Sequence, residues 1–363
     1  MNWYPIKLSF HERAYAFGAR LIPELLGKQG TSDGVVAETW EISDHAETTA
    51  TVLNGELAGR TLHDITMAYP DELVGQGWRG PHFPLLAKFL DASHPLPVHL
   101  HADDETARRK HGEPHGKSEA WHILWAAPEA TILAGVKPGV SKDDLRAAFK
   151  ARDYDAVMPR SPIQAGDTVY VPGGIVHAFG PDTLIFEVQQ TSDLAQSVMP
   201  TDLSGKRLPV EQWDANIEAA LDELRTDYLP RPNPGLERSG DAGNRYVVGC
   251  AGPHFALERW TLAGPHREPA HPHRCLTLSN VGDPVTIAHA GGSETLGRAE
   301  SCILPAAIGE TTITPVAGGG ASLIACFVPD PARDIVVPLR AAGHDDEAIR
   351  ALGEVALAET ERG

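Results

Sequence analysis

Three histidines and one glutamate constrain the fold of this chain most strongly. His99 and His101 are separated by a single residue, and Glu119 follows them. His177 stands later in the chain, behind the Pro172–Gly174 turn. In a β-strand the side chains at positions i and i+2 share a face, so the first two histidines can reach one point together. Three imidazoles and a carboxylate complete a metal site with room for water or substrate, whereas the alternative is a set of scattered polar loop residues.

The composition is typical of a β-rich globular chain. The 363 residues are enough for two domains, and 35 glycines and 29 prolines separate short apolar runs. The cysteines lie in or beside apolar runs without CxxC spacing, which predicts buried free thiols rather than disulfides or a zinc knot. These cysteines are Cys250, Cys275, Cys302 and Cys326.

The charge distribution argues against nucleic acid as a partner. The net charge is −18, and no basic cluster is longer than Arg108–Lys110. Phosphate contacts require a concentrated positive surface, which this chain lacks. The N-terminus has no apolar signal-peptide core, and no stretch approaches the length of a membrane span. We therefore expect a cytoplasmic protein with no membrane partner.

Apolar periodicity and proline spacing divide the chain. Apolar residues at helical spacing predict an amphipathic helix over Val210–Arg225, and prolines 230, 232 and 234 end it. The expected organisation is a catalytic metal-binding domain over residues 1–205, a helix and Pro-rich linker over 206–243, and a second β domain without metal over 244–363.

The turn before His177 carries a recognisable pattern. Gly166-x5-Pro172-x-Gly174-x2-His177 is similar, position for position, to the second conserved motif of the cupin superfamily. The resemblance implies a fold that is mostly β with some helix. It implies two cupin (jelly-roll β-barrel) domains with helical insertions and a connecting helix.

A wider resemblance runs through most of the first 195 residues. The segments that carry it are Glu38–Ser43, Asn54–Leu62, Phe83–Lys88, Gly116–Trp121, Tyr170–Gly174 and Glu187–Asp193. Through them the chain resembles the type I phosphomannose isomerase family, particularly its shorter bacterial branch. The resemblance implies one zinc in the N-terminal cupin barrel and interconversion of an aldose phosphate with its ketose.

The resemblance implies a ligand set for one Zn²⁺ per chain, with Mn, Fe, Co or Ni as other possible metals. The ligands are His99, His101, Glu119 and His177. His99 stands where the family usually has glutamine, and histidine is an equally competent ligand.

Two further residues are candidates for proton transfer. Lys117 falls where the family carries a lysine two residues before the glutamate ligand, and we take it as the first choice for the catalytic base. The alternative is a lysine that simply pairs with a carboxylate. Glu187 could orient a ligand or relay protons, and a purely structural hydrogen-bonding role is the other interpretation.

The predicted substrate contacts are Lys88, Asp193 and Ser197. Ser197 falls where the family has an arginine, and a hydroxyl cannot replace a guanidinium in holding negative charge. Another cation, such as Lys88, Arg160 or Lys206, could substitute, or the substrate and the reaction have changed.

The second half repeats the His-x-His spacing at His271 and His273. The segment expected to supply the remaining histidine, residues 301–310, has a proline but no histidine. We therefore predict that this half holds no metal, packs against the first barrel and closes one side of its cleft.

The predicted function is a metal-dependent aldose–ketose isomerase. It would interconvert mannose 6-phosphate and fructose 6-phosphate, or a related sugar, through a cis-enediol. The alternatives are a cupin metalloenzyme of changed activity (an oxygenase or epimerase) and a non-catalytic sugar-binding homologue. The expected partner is a small sugar or sugar phosphate, and the expected assembly is a monomer or homodimer.

Overall fold

The computed structural model of the chain describes residues 2–238, 240, 243–316 and 320–357. Within them, most of the regular structure is short antiparallel strands. The strands of the first half are β1 Ile6–Lys7, β2 His11–Arg13, β3 Glu38–Ile42, β4 Leu85–Ala92, β5 His99–Leu100, β6 Glu119–Ala126, β7 Thr131–Ala134, β8 Arg160–Pro162, β9 Thr168–Val171, β10 His177–Phe179, β11 Thr183–Gln190 and β12 Gln196–Ser197. Those of the second half are β13 Leu236–Arg238, β14 Arg245–Ala251, β15 Ala256–Leu262, β16 His266–Glu268, β17 Leu276–Asn280, β18 Val285–His289, β19 Gly292–Leu296, β20 Ser301–Leu304, β21 Thr311–Pro315 and β22 Ala321–Phe327.

Helices fill the connections between strands. The α-helices are α1 Leu62–Ala68, α2 Pro70–Leu73, α3 Asp104–Thr106, α4 Lys142–Ala151, α5 Tyr154–Val157, α6 Val210–Glu223, α7 Val337–Ala341 and α8 Asp346–Arg350. Shorter 3₁₀ and π segments are Ile22–Leu26, Ala46–Thr48, Gly55–Leu57, Ala107–His111, Ala306–Ile308 and Pro331–Val336. The predicted helix over Val210–Arg225 is confirmed as α6. No helix among the described residues is both long enough and apolar enough to span a membrane.

The strands form two jelly-roll barrels, which confirms the predicted fold class. The first barrel consists of a sheet in the order β2-β3-β4-β11-β6-β9 and a sheet in the order β12-β5-β10-β7-β8. The second barrel consists of a sheet in the order β1-β20-β17-β22-β15-β14-β13 and a sheet in the order β16-β21-β18-β19.

The two barrels have the same topology. β2 corresponds to β13, β3 to β14, and so on to β11 and β22, so each of the ten strands β2 to β11 has its counterpart eleven strands later. The additional strands β1 and β12 lie at sheet edges. The polypeptide therefore repeats one fold, and residues of the two barrels can be matched through their strand registers.

The sheets extend beyond the predicted domain boundaries at two points. β13 pairs with β14, so the second barrel already begins inside the segment predicted as a linker. Near the N-terminus, Ile6 pairs with Ile303 of the second barrel. The boundaries at 205 and 243 otherwise stay predictions.

Apolar side chains fill each barrel and the space between the barrels. Trp121 and Phe179 belong to the interior cluster of the first barrel, and Trp260 belongs to that of the second. A third cluster joins the barrels and contains Tyr170 and Phe255, whose ring centroids are 5.6 Å apart. The four cysteines are buried free thiols, as the sequence predicts.

Candidate active site

The four predicted metal ligands come together at one end of the first barrel. His99 on β5 and His177 on β10 are direct register partners across neighbouring strands. Glu119 is the first residue of β6, and His101 follows β5 directly. All four line a cavity of about 360 Å³. The one-residue spacing of His99 and His101 and the pairing of β5 with β10 therefore bring these side chains together.

The ligand atoms converge on one point. The Nε2 atom of His99 lies 3.2 Å from Nε2 of His101 and 3.1 Å from Nε2 of His177. An oxygen of Glu119 lies 3.0 Å from Nε2 of His177, and its other oxygen lies 3.4 Å from Nε2 of His101. A regular tetrahedron with metal–nitrogen bonds of 2.0 Å has edges of about 3.3 Å, so these separations suit a tetrahedral ion.

Backbone carbonyls set the tautomer of each histidine. The three Nδ1 atoms lie 2.7, 2.6 and 2.8 Å from the carbonyl oxygens of Pro97, Leu194 and Ile175, respectively. A carbonyl only accepts hydrogen bonds, so each Nδ1 carries the proton and each Nε2 presents a lone pair. Three lone pairs that face one another repel unless a cation lies between them, and the residues present therefore fit a divalent metal ion.

The charge states of the ligands agree with metal binding. Burial, reinforced by nearby Lys117, lowers the pKa of His101 to about 4, so its imidazole is neutral at pH 7. Burial opposes ionisation of Glu119, but the ammonium of Lys117 outweighs it and holds the pKa of this carboxyl well below its usual range. Oε2 of Glu119 lies 3.0 Å from Nζ of Lys117 yet accepts no aligned hydrogen bond, so it keeps a lone pair available.

The Pro-Gly-Gly turn is shaped by a close backbone approach. Gly174 has φ +87°, a conformation that favours glycine, and its N–H donates to the His101 carbonyl at 2.6 Å. A Cβ on Gly173 would lie 2.6 Å from Cα of Asp103. The turn thus holds the strand of His177 against the chain that carries His101.

Two lysines and two further carboxylates occupy the cavity beside the histidines. Nζ of Lys88 lies 3.3 Å from oxygens of both Glu38 and Glu187. Nζ of Lys117 lies 3.0 Å from Glu119 and 3.7 Å from Oε1 of Glu187. Burial alone would lower the pKa of Lys88, but Glu187 and Glu38 raise it. Burial and the charge of Glu119 raise the pKa of Glu187 to about 8.

All nine predicted site residues line this one cavity, including Asp193 and Ser197. Their individual roles stay predictions.

Ser197 lies on β12 opposite His99, and its Oγ accepts a hydrogen bond from the Met199 N–H at 3.2 Å. Of the cations proposed to replace the family arginine, Lys88 lines the cavity. Arg160 instead pairs with Asp155 at 2.7 Å on β8, and Lys206 lies on an exposed turn.

Sequence reasoning missed other residues that line the cavity, namely Tyr15, Glu38, Asp202, Gln212 and Asn216. Glu38 accepts a hydrogen bond from Nε1 of Trp40 at 2.7 Å, and Glu119 accepts one from Nε1 of Trp121 at 3.2 Å. The Glu-x-Trp pattern, repeated at these two positions, is the signal that could have identified Glu38.

A second group of potential metal ligands lies outside this cavity. Nδ1 of His63 is 3.1 Å from the buried Asp44 carboxylate, and His82 lies beside them. The other oxygen of Asp44 accepts the Phe83 N–H at 2.7 Å. The hydrogen bonds of Asp44 give this group a structural role in holding the start of β4.

Fold and site together define a two-barrel cupin protein with a three-histidine, one-glutamate cluster. Residues 5–122 match the family model described as phosphomannose isomerase type I, catalytic domain. A probable mannose-6-phosphate isomerase, GmuF of Bacillus subtilis, is 30% identical over 76% of this chain and 85% of its own length. The mannose-6-phosphate isomerase of Streptococcus mutans is 33% identical over 62% of this chain and 69% of its own length.

The solved structures agree with this assignment. The crystal structure of the mannose 6-phosphate isomerase from Bacillus subtilis aligns with a TM-score of 0.78 at 25% identity, and the alignment covers 89% of this chain and 99% of that one. The chain belongs to the type I phosphomannose isomerase family. The resemblance and the enzyme class predicted from the sequence, an aldose–ketose isomerase family, are confirmed.

Proposed function

We propose that this chain is a metal-dependent aldose–ketose isomerase that interconverts mannose 6-phosphate and fructose 6-phosphate. One observation carries the proposal: three imidazole lone pairs and the Glu119 carboxylate converge in the same cavity as Lys117 and Glu187. The metal cluster and a pair of proton-transfer groups are the two components that this chemistry requires. Nothing in the comparisons favours an oxygenase, an epimerase or a non-catalytic role.

His99, His101, His177 and Glu119 would hold the ion, for which we propose Zn²⁺. When bound, the ion supplies Lewis-acid polarisation of the sugar oxygens and favours negative charge there. The carbonyls behind the three histidines keep the ligand geometry in place before substrate arrives.

Lys117 and Glu187 are assigned to proton transfer. In the aldose-to-ketose direction a base removes the proton from C2 and then delivers a proton to C1 of the cis-enediol, after partial exchange of its N–H protons with solvent. Lys117 accepts the C2 proton as the amine, after its own proton has passed to Glu187 at 3.7 Å. The raised pKa of Glu187, about 8, lies close to neutral pH, which suits a group that both takes up and releases a proton. No other reactant is consumed, so the reaction balances as an internal redox exchange.

The reaction can be followed by proton NMR in D₂O with metal-loaded protein. We expect mannose 6-phosphate to give fructose 6-phosphate, with deuterium entering at C2 of the aldose and C1 of the ketose. Removal of metal by a chelator should stop both conversion and exchange, and added Zn²⁺ should restore them. A metal-loaded protein that gives neither conversion nor exchange would contradict the proposal.

A further inference from the structure

The second barrel contains a cavity of its own. It has a volume of about 400 Å³, and its buried lining includes the aromatic side chains of Tyr246, Trp260 and Phe327. Its lining includes all three residues of β16, which is the counterpart of β5, the strand that carries His99. It therefore occupies the same place in the second barrel as the proposed active site does in the first.

Strand registers show what stands in place of the paired histidine ligands. His99 pairs with His177 across β5 and β10, and the pairs across the equivalent strands β16 and β21 are His266 with Ile313, Arg267 with Thr312 and Glu268 with Thr311. None of these β21 residues is a histidine, so the pairs contain no counterpart of the His177 imidazole.

The strand registers also identify the residue of the second barrel that is equivalent to Glu119. Glu119 pairs with Val171, the residue before Pro172, and Leu276 pairs with Leu304, the residue before Pro305. Leu276 thus replaces Glu119 and has no ligand atom. The absence of metal from this barrel stays a prediction, and these replacements support it. Of the predicted His-x-His pair, only His271 lines the cavity.

The second barrel nevertheless has a basic residue, Arg274, at the position equivalent to Lys117. Lys117 stands two residues before Glu119, and Arg274 stands two residues before Leu276, so the two basic residues occupy equivalent positions. The side chain of Arg274 is 10% exposed, and its guanidinium lies 4.0 Å from the centroid of the Phe327 ring. The second barrel has thus lost metal ligands but kept a buried positive charge at the cavity.

The carboxylates of this cavity are already engaged with other groups. Glu258 accepts hydrogen bonds from Arg238 at 2.9 to 3.2 Å. The two oxygens of Glu268 lie 2.8 Å from Nε2 of His266 and 2.9 Å from Nε2 of His271. The two oxygens of Asp334 each accept from Arg333 at 2.9 Å.

Two of the three guanidinium nitrogens of Arg274 have no acceptor within the described part of the chain. Among the residues that the structure describes, none accepts a hydrogen bond from its Nε or Nη1, and the nearest carboxylate oxygen, on Asp334, is 3.9 Å from Nε. Nη2 lies 3.3 Å from Nε2 of His271, but that nitrogen has no free lone pair when it donates to Glu268. A buried guanidinium without an acceptor is unfavourable, and an oxyanion would satisfy it.

We propose that the cavity of the second barrel binds a small organic oxyanion, a carboxylate or a phosphate ester, through Arg274. The guanidinium provides planar donors that match either anion. The walls formed by Trp260 and Phe327 accommodate the carbon skeleton of the ligand. The binding site is separate from the proposed isomerase site, so its occupancy and the isomerase activity can be measured independently.

Isothermal titration calorimetry of the metal-loaded full chain tests the proposal, with succinate in one arm and phenyl phosphate in the other. We expect at least one of them to bind the wild type, and R274Q to bind it at least tenfold more weakly. The arm that responds identifies the carboxylate or the phosphate as the preferred group. R340Q is the matched control, because Arg340 belongs to the same barrel, pairs with Asp346 at 2.8 Å and lies outside the cavity.

R274K provides a second variant in case R274Q does not fold. It keeps the charge but loses the planar donors, and we expect intermediate affinity. Equal affinity in the wild type and the position-274 variants, or no binding of either anion by the wild type, would overturn the proposal. Isomerase activity should be unchanged in R274Q and R274K, so loss of anion binding alone leaves the proposed isomerase function intact.

Discussion

Nζ of Lys117 lies 3.7 Å from Oε1 of Glu187, and both side chains are almost fully buried beside the histidine cluster. The two groups stand on neighbouring parts of one sheet, because β6, which begins at Glu119, pairs along its length with β11. Water is thereby limited around the pair, and a proton exchanged between the two groups stays near the substrate. The short distance between Lys117 and Glu187 predicts that a substitution of Glu187 slows proton transfer.

We expect E187Q to lower kcat by a factor of about 10² or more with little change in KM, because the amide cannot take up a proton. Steady-state isomerase kinetics measure this effect. E41Q is the matched control, since Glu41 forms a buried ion pair with Lys28 at 2.9 Å outside the cavity. Both variants remove a buried carboxylate, but only the first removes a proton-transfer group. Equal losses of kcat in both would indicate a purely structural role for Glu187.

Metal content tests the ligand cluster directly. H177A removes one of three converging Nε2 atoms, so we expect bound metal to fall from one ion per chain to a small fraction and activity to fall with it. Elemental analysis after extensive dialysis gives the stoichiometry. H289A, in a strand of the second barrel far from the cluster in sequence, should retain a full equivalent. Retention of one tightly held ion by H177A would argue against this ligand set.

The cavity offers little free positive charge for a phosphate. Its lining includes Lys88 and Lys117, and each lies within 3.3 Å of a carboxylate oxygen. We expect S197R to lower KM for mannose 6-phosphate about tenfold, because a guanidinium binds phosphate bidentately, and to leave KM for unphosphorylated mannose unchanged. The comparison of KM for the two sugars isolates the charge effect.

S204R is the control for that experiment. Ser204 lies on the exposed turn after β12, and its side chain does not line the cavity. An arginine there adds the same charge without placing it beside the substrate. An equal change in KM from both arginine variants would mean that the overall charge, and not the cavity, controls phosphate binding.

The three converging histidines could be identified from sequence because short patterns mark them. His99 and His101 are two residues apart, and His177 follows the Pro-Gly-Gly turn. Their convergence also depends on the pairing of β5 with β10. Glu38 could not be placed in the same way. It reaches the cavity because β3 pairs with β4, which carries Lys88, and this neighbour relationship depends on sheet order.

Sequence patterns also do not indicate the proposed anion-binding role of Arg274. It follows a His-Pro-His segment that attracts attention as a possible metal site, yet His273 is exposed and lies outside the cavity. Only the register of β17 with β20 shows that Arg274 corresponds to Lys117. Equivalence between repeated barrels depends on pairing between distant strands, and single-residue patterns do not encode it.

The free energy of unfolding should decrease in mild acid, partly because of His122. This residue is buried on β6 with Nδ1 3.2 Å from the Thr168 hydroxyl, and burial, with help from Arg259, lowers its pKa to about 3. In the unfolded chain an ordinary histidine titrates near pH 6.5. Between pH 3 and pH 6.5 the unfolded state binds more protons at His122 than the folded state does. The stabilising contribution of His122 is therefore complete above pH 6.5 and decreases as the pH falls.

The predicted loss from this single group is about 1.4 kcal/mol on going from neutral pH to pH 5.5. Urea denaturation of the wild type and H122Q at pH 7.5 and 5.5 measures it. Other groups also titrate in this range, but their contribution is common to both proteins and cancels in the difference between them. We therefore expect the pH-dependent drop in the free energy of unfolding to be smaller in H122Q by about 1.4 kcal/mol. If H122Q shows the same drop as the wild type, His122 is not the group that couples folding to pH.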